Sequence, residues 1–91
     1  MIALPAHLTL REARATLASL TPAIAASTEP VIEVDAAALT HIDSATLAVL
    51  LACRRSAEAQ QRRFAVLNAP ARLVELATLY GVQDLLGLQA H

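Results

Sequence analysis

Two neighbouring stretches do most to limit what this chain can fold into: "VIEVDA", Val31 to Ala36, and the apolar run "SATLAVLLAC", Ser44 to Cys53. The first is β-branched and nearly continuous, the pattern of an interior strand covered on at least one face. The second carries apolar side chains at helical spacing. A strand feeding a helix in this way, in a chain of 91 residues, leaves room for one domain with one core, because chains this short bury only roughly 60 to 65% of their unfolded surface.

The same alternation runs through the rest of the chain. Ile2, Leu4, Ala6, Leu8 and Leu10 occupy every second position, which predicts a short strand that Pro5 confines to an edge or shortens to residues 7–10. From Glu12 the period changes, and Ala13, Leu17, Leu20 and Ile24 predict a first helix with a kink or break near Thr21, before Pro22. "STEP", Ser27 to Pro30, ends it. "RRFAVLN", Arg62 to Asn68, reads as a third strand whose Phe64, Val66 and Leu67 feed the core. In "NAPARLVELATLYGV" Pro70 suits a first helical turn, Leu73, Leu76, Ala77 and Tyr80 form an apolar stripe, and Gly81 is available as a cap. Gln83 to Leu86 makes a last closing turn, and 87–91 is expected to fray. The order β-α-β-α-β-α predicts an α/β fold, a three- or four-stranded sheet with helices mainly on one face.

Composition removes several function classes. Hydrophobic residues make up 56% of the chain, yet the longest apolar run, Ala45 to Cys53, ends at Arg54-Arg55 and is well short of the roughly 20 residues that span a bilayer. No direct membrane insertion is therefore expected. The opening "MIALPAHLTL" has no basic segment, long apolar core or small-residue cleavage site, so a cytoplasmic location is the expectation. A net charge of -1 and 2% aromatic residues speak against nucleic acid as a partner. Cys53, the only cysteine, reads as a small buried hydrophobe. His7, His41 and His91 show no ligand spacing, so no metal is expected. Glycine occurs only at 81 and 87, which leaves no phosphate-cradling loop and no cofactor site.

Within "LTHIDSATLAVLLACRRS" the residue types of a hydrolase triad occur at His41, Asp43 and Ser44, but residues two and three apart at a helix start point in different directions and no nucleophile elbow is present. No catalytic residue is assigned, and the reading is non-enzymatic. Asp43 is explained as a helix cap, worth about 0.5 to 2 kcal/mol. Ser44 is different in kind, since a phosphate there would add roughly 1.5 to 2 negative charges. In the following helix, Val49, Cys53, Thr46, Ala57, Leu50, Leu47 and Leu51 span an apolar arc of about 200 degrees, wider than an ordinary surface helix needs. Part of that arc is expected to face something besides the sheet, and a ligand-binding role, with a lipid or nucleotide held there, remains open. Arg54, Arg55, Arg62 and Arg63 read as solvated charges, with Glu58 a partner at helical spacing, or as rim charges toward an acidic partner.

"VIEVDAAALTHIDSATLAVLL" resembles the central strand, loop and helix of a STAS domain, the family that includes anti-sigma-factor antagonists. There a strand ending in Asp is followed by a D-S-S-G-L or D-S-T-G-L type motif, matched here by Asp43, Ser44, Ala45, Thr46 and Leu47. The likeness continues through "RRFAVLN" and "ARLVELATLYGVQDLL", and is greatest to MlaB-type subunits, small STAS proteins that bind the cytoplasmic ATPase of the Mla ABC transporter for phospholipids, which maintains outer-membrane lipid asymmetry. The resemblance implies that Asp43 to Leu47 form the docking surface for an MlaF-like ATPase, with Ser44 at the family's hydroxyl position and the chain peripheral to the inner membrane through that complex. The alternative it implies is an anti-sigma-factor antagonist phosphorylated at Ser44 by an anti-sigma-factor kinase. Ala45 and Thr46 replace the family's two small residues that follow the hydroxyl position, the third and fourth of the motif, which favours docking over the phospho-switch. Only about ten residues precede the first helix, where the family has two strands. A missing strand and an exposed edge open to homodimer formation are therefore expected.

Overall fold

In the computed structural model, which describes residues 1–90, the chain alternates short strands with helices. The elements are β1 (Ile2–Ala3), β2 (His7–Leu8), α1 (Leu10–Ala26), β3 (Val31–Asp35), β4 (His41–Ile42), α2 (Ser44–Ala59), β5 (Arg63–Ala69), α3 (Ala71–Leu79), α4 (Gln83–Leu86) and β6 (Leu88–Ala90). The main sheet is parallel, in the order β1-β3-β5-β6, and β2 pairs with β4 in a separate parallel ladder. A parallel sheet in sequential order demands crossover connections of one hand, which stack the helices on one face. The burial pattern follows. On β3 Ile32 and Val34 are fully covered while Glu33 between them is exposed.

Three expectations about this architecture change. The single strand expected near the start, confined to an edge or shortened to 7–10, is two strands: β1 at the edge of the main sheet and β2 in the small ladder, with Leu10 already helical. Two residues each suffice, so both strands expected of the family fit before α1. The sheet is four-stranded because Leu88–Ala90, expected to fray, pairs with β5; His91 lies outside the described residues. Nor does Pro22 break α1. The lost donor leaves the carbonyl of Ala18, which is on the exposed side of the helix where water can serve it.

α2 uses its wide apolar arc for two neighbours. Leu47, Val49, Leu50, Cys53 and Ala57 are buried in a core shared with Leu20 and Ile24 of α1 and with Ile32, Val34 and Val66 of the sheet. What the arc faces besides the sheet is therefore α1. Burying a leucine or isoleucine of this kind contributes about 1.5 to 3 kcal/mol. Cys53 behaves as expected: it is fully buried, and burial pushes its thiol up to about 11. Leu67 departs from expectation. It pairs in register with Asp35 and so falls on the sheet face opposite Val66. Tyr80 also leaves the predicted stripe and is 57% exposed, because α3 stops at Leu79 and Gly81, at φ +70, turns the chain away.

Candidate functional site

The β2–β4 ladder is only two residues long, with His7 opposite His41 and Leu8 opposite Ile42. Its role follows from what comes next on each strand: α1 starts two residues after Leu8 and α2 two residues after Ile42. Both helix N-termini are thereby brought side by side at the carboxyl end of the sheet, the end where open α/β folds place their sites.

Side chains from the two junctions hold them together. Asp43 Oδ1 accepts from the backbone N–H of Ala45 at 2.8 Å, the expected cap on α2. Its other oxygen, Oδ2, accepts from the N–H of Leu10 at 3.0 Å, so one carboxylate serves the first turns of both helices. Thr46 is fully buried; its hydroxyl accepts from the N–H of Asp43 at 3.1 Å and donates to the carbonyl of Leu8. On α1, Glu12 Oε1 accepts from the N–H and the hydroxyl of Thr9 at 2.9 and 2.7 Å. These bonds, first to the Thr9 hydroxyl and then to its backbone, hold the Glu12 carboxyl below the usual range. The carbonyl of Ala6 accepts from the N–H groups of Thr40 and His41 at 2.8 and 3.1 Å, and the His7 and His41 rings meet edge to face with centroids 4.2 Å apart.

The five motif residues therefore separate. Asp43 and Thr46 are structural ties, Leu47 is buried in the core, and Ala45 is half-covered. Ser44 opens α2 as an exposed residue, and its hydroxyl takes no part in the network among the described residues. Thr46 and Leu47 are buried on the inward face of α2, which is filled by β2, α1 and the sheet. Sequence spacing made Asp43 legible as a cap. The reach to Leu10 and Leu8 crosses more than thirty residues of chain, as the separations of 33 and 38 show, and leaves no local pattern.

A second polar tie lies further along the same edge. Asp35 Oδ1 accepts from the N–H of Ala37 at 3.0 Å and from Asn68 Nδ2 at 3.1 Å, and these two bonds, in that order, hold its carboxyl below the usual range. Asn68 is left-handed, φ 56, a conformation asparagine tolerates better than most residues. Among the described residues no group of three or more His, Cys, Asp or Glu is placed to hold a metal, and no helix is long and apolar enough to cross a membrane.

The family model described as Mlab, STAS domain, matches residues 1–87. The chain belongs to the STAS domain family. STAS domains are in general non-enzymatic regulatory domains. The structure of an anti-sigma-factor antagonist (STAS) domain protein from Planctomyces limnophilus is similar to this STAS domain with a TM-score of 0.81, over 98% of this chain and 80% of that one. Identity between them is 16%, so the likeness is one of fold. No curated protein matches the chain.

Proposed function

We propose that this STAS domain is a non-enzymatic subunit that binds the cytoplasmic ATPase of an Mla-type ABC transporter for phospholipids, and stabilises or regulates it. The docking face is the rim formed by the first turns of α1 and α2, centred on Ser44, with Asp43 and Ala45 beside it. The observation that carries this reading is the match of residues 1–87 to a family model described by the name Mlab. Supporting it, Ser44 is exposed at a helix start where Asp43 before it and Thr46 two residues after it are committed to holding the fold.

The physical consequence is a rigid rim with one variable position. A side chain at Ser44 can change what docks without changing what folds. Co-purification with the transporter ATPase of the same organism tests the reading: the wild-type chain is expected to capture it stoichiometrically, and Ser44→Arg is expected to weaken binding at least about tenfold. Failure of the wild-type chain to bind the ATPase overturns the reading. A single phosphate added to Ser44 by an anti-sigma-factor kinase, and lost in Ser44→Ala, would replace it by the antagonist role.

A further inference from the structure

A shallow groove of ≈ 350 Å³ runs between α1 and α2, leading away from the Ser44 end of the rim. Its floor is apolar, from Ala13 and Leu17 on α1 and Ala48 and Ala52 on α2, and each wall carries one exposed arginine, Arg14 and Arg55. No carboxylate lines it. The ion pair found among the described residues is Arg54–Glu58 at 3.0 Å, elsewhere on α2, which leaves Arg14 and Arg55 without an acidic partner.

We propose that this groove receives an amphipathic helix of the partner protein, with an apolar face flanked by aspartate or glutamate. The proposal rests on the docking reading above and names the chemistry of what docks. Two side-by-side helices present a trough into which the ridge of a third helix packs, and small residues on the floor let its backbone come close. An extended segment would leave its backbone donors and acceptors unpaired against helices whose own backbone groups are already bonded within them. Charge selects the flanks. Counted from the paired helix starts, Arg14 is four residues along α1 and Arg55 eleven along α2, an offset of about 10 Å at 1.5 Å per residue. The partner helix therefore carries its acids about two turns apart, on opposite flanks.

Other occupants fit less well. A second copy of the chain docked groove to groove would bring arginine toward arginine with no acid to receive it. An anionic membrane surface is normally met by clusters of about four to eight basic residues, whereas this groove offers two on a chain of net charge -1. Ser44 shares a helix face with Ala48, Ala52 and Arg55, so a phosphate on it would put negative charge at the mouth of a groove that accepts an acidic helix, and would oppose docking.

Calorimetric titration of the full-length chain with the transporter ATPase tests this, with the fold of each variant checked by thermal melting. Wild type should bind, Arg14→Glu with Arg55→Glu should weaken binding at least about tenfold, and Arg54→Glu, which changes an arginine outside the groove, should bind like wild type. Reversing the acids of the docked ATPase helix to arginine should restore affinity to the doubly reversed chain. If Ser44→Arg weakens binding while the double reversal binds unchanged, the groove proposal fails and the docking reading stands. No binding by wild type overturns both. Salt-sensitive dimerisation, or binding to phosphatidylglycerol vesicles, that is abolished by the double reversal without any effect on ATPase binding overturns the proposal in favour of those occupants.

Discussion

The starts of α1 and α2 and the start of α3 lie along the same end of one sheet, yet they are built differently. At the first two, Asp43 and Thr46 satisfy backbone groups of both junctions and bind them to each other, while Glu12 closes the start of α1 on Thr9. At the third, Pro70 precedes the helix with no side-chain cap, and α3 is held through buried Leu73 and Ala77 while Leu79, at its other end, is 80% exposed. Hydrophobic burial is enough to hold a helix against a sheet. It does not fix the position of a helix end to within a hydrogen bond, and directional polar ties do. The molecule makes those ties where Ser44 is displayed.

Thr46 should give the largest effect at this end of the sheet. Thr46→Val leaves the Leu8 carbonyl and the Asp43 N–H without their partner, and is expected to cost about 2 to 4 kcal/mol in urea unfolding; Thr46→Ser, which keeps the hydroxyl, should cost about 1 kcal/mol or less. A larger loss in Thr46→Ser, which removes only the methyl, than in Thr46→Val, which keeps it, would mean that the threonine methyl, not the tie, matters. Asp43→Ala, which uncaps α2 and the first turn of α1 together, should cost about 1 to 2 kcal/mol in the same assay. At the other junction, Pro70→Ala should change stability by less than about 0.5 kcal/mol. If Pro70→Ala were as damaging as Asp43→Ala, the contrast between the junctions would collapse.

Acid sharpens the comparison, since each region has one carboxylate held below its ordinary value, 4.5 for Glu12 and 3.8 for Asp35. A native pKa below the unfolded one means that the unfolded chain binds more protons. The stabilisation is then complete above the unfolded value and lost as pH falls through the lowered native value. Denaturant midpoints measured from neutral pH downward should fall in this acid range, with a flatter profile for Glu12→Gln and for Asp35→Asn. Asn68→Ala, which removes one of the two bonds to Asp35, should flatten it less than Asp35→Asn.

Much of this was legible in the sequence. The β-branched run at Val31 to Asp35 and the helical spacing from Thr46 to Ala57 were enough to predict an α/β sheet with helices on one face, because both patterns are local and strongly periodic. Elements of two residues carry no period of their own, so β1 and β2 read as one strand and β4 as loop, and β6 arises from pairing with β5 rather than from its own residues. The motif was legible only in part for the same reason. Asp43 looks like a cap because capping is a spacing rule. Thr46 and Leu47 look like surface in a motif read as a unit, and only the packing of α2 against β2 and α1 turns them inward. Arg14 and Arg55 are distant in sequence and become one feature only when the two helices lie together.

The account rests on a division of labour at one helix start: Asp43 and Thr46 hold the fold, and Ser44 is the residue proposed to meet the partner. Its most direct test pairs two readings on Ser44→Arg, the urea unfolding free energy and the affinity for the proposed partner, the transporter ATPase. The expected result is stability within about 0.5 kcal/mol of wild type together with at least about a tenfold loss of affinity. Unchanged affinity, or a loss of stability as large as that of Thr46→Val, would contradict it.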